Sequence, residues 1–181
     1  MREWEAEEQR KCDEAPRHRP LIRPVSASVH RESMWTDYGI LEGYEPGGGD
    51  DSFEDGLIAL VQKNELVAAL PGHLMISTHS DYRLCVTTET YARRPPVETE
   101  GWHHVVEVGY HSPTGEIRLS DPTGAPELPN LAVRGKGHYR IRVHYAWLPW
   151  KGDKLGAQRL LIMAYPRRGD DVVIHRKRTE P

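Results

Sequence analysis

The stretch GHYRIRVHY at residues 137–145 decides the fold class of this chain. Successive residues of a β-strand point to opposite faces, and here apolar or aromatic residues alternate with histidine and arginine. The pattern predicts a half-buried strand with one apolar and one basic face. The apolar face comprises Tyr139, Ile141, Val143 and Tyr145, and the basic face comprises His138, Arg140, Arg142 and His144.

Short strand candidates separated by turn signals occupy most of the remaining sequence. Residues 57–70 also fit one short helix, and residues 102–120 predict a hairpin that turns at residues 112–115. Glycine and proline in the turns and little helical periodicity predict an all-β fold, an antiparallel β-sandwich of the jelly-roll kind. The candidates span residues 25–30, 38–43, 57–62, 65–70, 74–78, 82–91, 102–110, 116–120, 138–147, 158–165 and 172–176.

The N-terminal 20 residues differ from the rest of the chain. Early acids and later bases in residues 2–14 suit a short solvated helix, and two prolines in residues 15–20 predict a linker. We therefore expect an N-terminal appendage and linker at residues 1–20 and a single β-sandwich domain at residues 21–181. Cys12 and Cys85 lie far apart in different contexts, so a disulfide is compatible with the sequence but not indicated by it.

Composition and charge indicate where the protein is expected to be located and what it is expected to bind. The chain has 181 residues, 28% of them charged, and a net charge of −3, which gives no argument for nucleic acid or membrane binding. The acidic N-terminus lacks the apolar run of a signal peptide, and no stretch has the length of a membrane span. These features predict a cytoplasmic protein that does not bind membranes.

Common catalytic motifs are absent from the sequence. It contains no phosphate-binding P-loop, no dinucleotide-binding glycine motif, no serine nucleophile elbow and no HExxH zinc motif. We therefore expect no cofactor and favour a protein that is not an enzyme. The C-terminal bases, with Arg140 and Arg142, would need interleaved aromatic residues to predict nucleic-acid binding, and solvated strand faces are the preferred interpretation.

One cluster has the residue types of a metal site. His103, Glu107 and His111 share a strand face, with His104 beside them. However, residues four apart on a strand are separated by about 13 Å, so these side chains would need help from other strands to bind one ion. The alternatives are a polar strand face, which we prefer, and the metal site of a cupin-like jelly-roll enzyme.

Two surface features predict contact with a partner. The first is a glycine-rich acidic loop, since carboxylates without intervening bases suit docking on a basic protein; it contains Glu45, Asp50, Asp51, Glu54 and Asp55. The second is the pair Trp147 and Trp150, because aromatic residues in loops often mark contact surfaces. This pair also fits a homodimer interface, or a segment that folds over the end of the sandwich.

The C-terminal strands carry a family resemblance. The segments GHYRIRVH at residues 137–144 and RLLIMAYP at residues 159–166 resemble a group of small actinobacterial β-proteins with a GxYR[IV]RVH strand. More distantly, they resemble the competence protein J family of β-sandwich nuclease inhibitors. The similarity covers the last third of the chain strongly and the body from about residue 25 weakly. The family supplies no catalytic residues.

Together, these features predict a non-enzymatic, protein-binding β-sandwich that docks on a basic partner. The resemblance implies an inhibitor or immunity-type protein, with a nuclease as the partner. The second hypothesis is a cupin-like, metal-dependent enzyme that uses His103, Glu107 and His111.

Overall fold

The computed structural model describes residues 3–29, 39–47, 56–78, 84–122, 127–147 and 158–179. These residues form two α-helices, α1 (Glu3–Glu14) and α2 (Leu57–Asn64). They also form nine strands: β1 (Ser26–Val29), β2 (Ile40–Tyr44), β3 (Val67–Leu70), β4 (His73–Ser77), β5 (Leu84–Thr90), β6 (His104–Ser112), β7 (Gly137–Trp147), β8 (Gln158–Pro166) and β9 (Val173–Arg176).

The strands form two sheets. A six-stranded sheet has the order β1-β5-β8-β7-β6-β9, and a three-stranded sheet has the order β2-β4-β3. Neighbouring strands run antiparallel except β5 and β8, which run parallel and make the larger sheet mixed. The predicted all-β sandwich is confirmed, and the parallel pair is its one departure among the described strands from a fully antiparallel arrangement.

The main core lies between the two sheets. The apolar face of β7 contributes Tyr139, Ile141, Val143 and Tyr145, as its alternation predicted. The small sheet contributes Leu41, Leu74 and Ile76 from the other side. Burial of these side chains, each worth roughly 1.5–3 kcal/mol, holds the two layers together.

The opposite face of β7 departs from the prediction. The sequence predicted a basic face turned toward solvent, yet Arg142 is 0% exposed, Arg140 is 4% exposed and His144 is buried. Chain segments without regular strands cover this face, and a second apolar cluster forms there. We call the side of the six-stranded sheet that carries Arg140, Arg142 and His144 the polar face. The cluster comprises Tyr91, Trp102, Val105, Ala146, Leu161, Met163 and Tyr165, with Ile22 packed against it.

Helix α2 settles the ambiguity at residues 57–70. Its buried side packs Leu57 and Val61 on the outer face of the small sheet. The helix ends because Glu65 adopts a left-handed backbone conformation, and the side chain of Asn64 bonds to the backbone of Leu66 and Val67. The alternative of a short helix is therefore correct for the first part of this region, and the predicted strand at residues 65–70 is present as β3.

The predicted hairpin at residues 102–120 is wrong. Strand β6 pairs with β7 along one edge. Its other edge pairs with β9 at Val105–Glu107 and accepts the Gly72 N–H at the carbonyl of His111, so residues 116–120 do not pair with β6. After the turn the chain instead crosses to the small sheet, where Ser120 bridges to Glu42. The local turn signal was present, but contacts with segments distant in the sequence occupy both edges of β6.

The N-terminal segment forms the expected short helix, α1. Neither described helix is long and apolar enough to cross a bilayer. The domain boundary at residue 20 stays a prediction, although residues before it contact the sandwich, as described below.

Gly109 permits a close backbone approach that we expect to be sensitive to mutation. A Cβ atom there would lie 2.1 Å from the carbonyl oxygen of Gly169, so the Gly109→Ala variant must push residues 169–171 away from β6. We expect a loss of about 2–3 kcal/mol in the free energy of unfolding, measured by urea denaturation.

Gly135→Ala is a comparison variant without a close approach, and unlike Gly109 its glycine has a positive φ. A Cβ atom at Gly135 meets nothing within 4 Å, so this variant reports the backbone cost of a positive φ, about 1 kcal/mol. Equal stability of the Gly109→Ala variant and the wild type would contradict the close approach.

Candidate functional site: a closed charge network on the polar face

Strand register brings the buried charges of the polar face into one row. Glu107 on β6 lies opposite Arg142 on β7, which lies opposite Met163 on β8. Met163 in turn lies opposite Glu89 on β5. The carboxylates and the guanidinium are therefore fixed by backbone pairing between strands that are distant in the sequence.

Glu107 is the centre of this network. Its Oε2 accepts a hydrogen bond from Nε of Arg142 at 2.7 Å, and its Oε1 accepts from Nε of Arg140 at 3.1 Å and from the Tyr165 hydroxyl at 2.9 Å. Burial opposes ionisation, but the charge of Arg142 and these hydrogen bonds outweigh it and lower the pKa of Glu107 to about 2. The carboxylate is thus ionised and occupied by protein donors.

The two arginines hold irregular chain segments on the polar face. Arg142 donates from Nη1 to the carbonyl of Pro96 at 3.0 Å and from Nη2 to that of Pro95 at 3.1 Å. Arg140 donates from Nη1 to the carbonyls of Gly169 and Asp171. Each guanidinium therefore joins a glutamate inside the sheet to a loop that covers it.

His18 attaches the N-terminal segment to the same face. Its Nδ1 lies 2.7 Å from Oε1 of Glu89, and its Nε2 lies 3.0 Å from Oε2 of Glu98. Ionised carboxylates only accept hydrogen bonds, so this arrangement favours the imidazolium, in which both ring nitrogens donate. Burial disfavours this charge, yet the two glutamates outweigh burial and raise the pKa of His18.

A disulfide between Cys12 and Cys85 makes a second attachment, with Cα atoms 5.3 Å apart. It joins α1 to β5 across 73 positions of sequence. The sequence offered a pair of cysteines but no signal that they meet. His18 and Cys12 thus link the predicted appendage to the polar face.

Of the predicted docking residues, Glu45 and Trp147 lie in the described part of the chain. Glu45 is 4% exposed. Its Oε1 accepts hydrogen bonds from the Ser112 and Thr114 hydroxyls, while Oε2 accepts from the Tyr110 hydroxyl. Burial opposes ionisation of Glu45, but these hydrogen bonds outweigh it and lower its pKa.

Trp147 is half-buried. It packs on the main core, edge-on to Tyr145 with ring centroids 5.8 Å apart, and its backbone N–H donates to Nδ1 of His103. The other predicted docking residues lie outside the described residues, so their role stays a prediction; they are Asp50, Asp51, Glu54, Asp55 and Trp150.

The residues of the metal hypothesis are not brought together. Glu107 is held by two arginines, His103 accepts the N–H of Trp147, and His111 is exposed and stacks on His138 with centroids 4.8 Å apart. No group of three or more ligand-type side chains in the described ranges has the geometry of a metal site. Arg140 and Arg142 are likewise buried in ion pairs and cannot reach a nucleic-acid phosphate.

Comparison with known proteins supports the fold. No protein-family model and no curated protein matches the chain. The structure of ComJ from Bacillus subtilis, described as an inhibitor of the DNA degrading activity of NucA, is similar with a TM-score of 0.52 at 15% identity, covering 79% of this chain and 100% of ComJ. A protein described as crocagin biosynthetic gene J has a TM-score of 0.49 at 14% identity, covering 80% of this chain and 100% of its own.

At this identity, the likeness to ComJ establishes the fold. The distant resemblance to the competence protein J family is therefore confirmed at the level of fold. The strand motif and the actinobacterial grouping stay predictions.

The ion pairs of His18 predict a specific pH dependence of stability. Because folding raises the pKa of His18, its contribution is complete below the unfolded pKa of about 6.5 and is lost as pH rises through the folded pKa. We expect His18→Gln to destabilise the oxidised protein most at pH 6 and progressively less toward pH 9, measured by urea denaturation.

A Glu98→Gln variant tests the cause. It keeps the shape of the acceptor but removes one of the two charges facing the ring. In this background we expect the destabilisation caused by His18→Gln to depend on pH with the same sign but more weakly. A difference between His18→Gln and wild type that does not change with pH would contradict the imidazolium.

Proposed function

We propose that this chain is a protein-binding inhibitor that docks on a basic protein, with a nuclease as the partner class. The observation that carries the proposal is the closed charge network. Glu107 pairs with Arg140 and Arg142, both arginines bind backbone carbonyls, and Glu89 accepts hydrogen bonds from Tyr91 and His18, all beneath covering segments. Their charges are satisfied inside the fold, which leaves recognition of a partner to the outer surface.

The structural likeness to ComJ supports the inhibitor class. ComJ is described as inhibiting the DNA degrading activity of NucA, and its whole length is matched by this chain. Nucleases must bind a polyanion, and proteins do so with lysine and arginine side chains on the phosphates. Carboxylates on an inhibitor offer the same cations an alternative ligand.

The acidic loop is the docking element of this proposal. Glu45 is occupied inside the fold by three hydroxyl groups, so it anchors the start of the loop rather than meeting the partner. The partner contacts then fall to Asp50, Asp51, Glu54 and Asp55, four carboxylates within six residues. Trp150 supplies an aromatic contact, while Trp147 supports the core.

Charge removal in the loop tests this proposal. We expect the purified protein to inhibit DNA degradation by NucA or a nuclease of its own host, with an affinity that falls as salt rises. The variant Asp50→Asn, Asp51→Asn, Glu54→Gln and Asp55→Asn should raise the inhibition constant by at least about tenfold, measured by the rate of DNA cleavage.

The control variant neutralises four exposed carboxylates elsewhere: Glu3, Glu14, Glu100 and Glu127. It changes the net charge by the same amount but leaves the loop intact. We therefore expect the inhibition constant to rise by no more than about threefold, through the loss of long-range attraction alone. Equal weakening in both variants would contradict the loop as the docking element. Failure of the wild type to inhibit any of these nucleases would overturn the inhibitor function itself.

A further inference from the structure

A cavity of about 620 Å³ opens beside the disulfide between α1 and the six-stranded sheet. Both Cys12 and Cys85 line it, and each is partly exposed, so a small molecule in the cavity would reach the sulfur atoms. Its volume falls within the usual range for small-molecule sites.

The described lining carries a positive balance of charge. Arg17 and Arg159 contribute two guanidiniums and Asp13 contributes one carboxylate. Arg159 lies directly opposite Cys85 in the β5–β8 register. Its guanidinium also packs 4.3 Å from the centroid of the Trp102 ring, which limits its rotation.

The two sulfur atoms occupy opposite electrostatic environments. Cys12 lies in the last turn of α1, where the negative end of the helix dipole disfavours a thiolate, and Asp13 follows it. Cys85 lies opposite Arg159, which lines the same cavity, and a nearby cation favours a thiolate. If the disulfide opens, Cys85 is therefore the better leaving group.

We propose that this cavity binds low-molecular-weight thiols that carry carboxylates, such as a peptide thiol of glutathione size, and exchanges them with the Cys12–Cys85 disulfide. The carboxylates bind Arg17 and Arg159. The incoming thiolate attacks Sγ of Cys12 and forms a new disulfide with it, while the Cys12–Cys85 bond breaks and its electron pair leaves on Sγ of Cys85. The number of disulfides is unchanged. The site does not depend on the inhibitor function.

Exchange kinetics test the proposal on the full-length oxidised protein. Glutathione and its diethyl ester share a skeleton, but the ester lacks the carboxylates. We expect glutathione to react about tenfold faster per thiolate at low salt, with the advantage lost in Arg159→Gln and kept in Arg118→Gln, an exposed arginine elsewhere. Mass spectrometry of acid-quenched peptides should place the glutathione adduct on Cys12.

A second variant, in which the disulfide cannot form, tests the environment of the Cys85 thiol by itself. In Cys12→Ser, the rate of Cys85 alkylation against pH reports the thiol pKa, which we expect to lie below that of a free cysteine and to rise when Arg159→Gln is added. Equal rates for glutathione and its ester, an adduct on Cys85, or two free thiols in the air-oxidised protein would each overturn the proposal.

Discussion

The ion pair between Arg142 and Glu107 is the interaction on which the polar face depends. A buried guanidinium and a buried carboxylate are each costly, and their pairing is tolerated when hydrogen bonds satisfy the remaining donors and acceptors. Here the remaining donors of Arg142 bind the carbonyls of Pro95 and Pro96. The need to satisfy one cation thus positions a segment that has no strand partner of its own.

Other buried cations on this sheet also join a glutamate to a covering segment. Arg140 joins Glu107 to the loop that contains Gly169, and His18 joins Glu89 to Glu98. The result is a sandwich with a third layer, in which irregular segments cover the polar face and charged side chains replace strand pairing. Because these charges are neutralised internally, the proposed recognition of a partner falls to side chains outside this network.

Sequence patterns predicted most of the strands, but not which distant segments pack against them. The alternation in β7 identified the strand and its core face, because period-two patterning is a local property. The burial of Arg140 and Arg142 was missed, since an Arg-rich face looks the same whether it meets water or a glutamate from another strand. The failed hairpin after β6 and the disulfide of Cys12 have the same origin: both depend on which distant segments meet.

A double-mutant cycle on Glu107 and Arg142 tests the central role of this pair most directly. The free energy of unfolding is measured for wild type, Glu107→Gln, Arg142→Met and the double variant. We predict that each single change costs about 3–5 kcal/mol because it leaves one buried charge unpaired, and that the double variant loses clearly less than the sum. Additive losses would contradict the account, because they would mean that the two groups stabilise the fold independently.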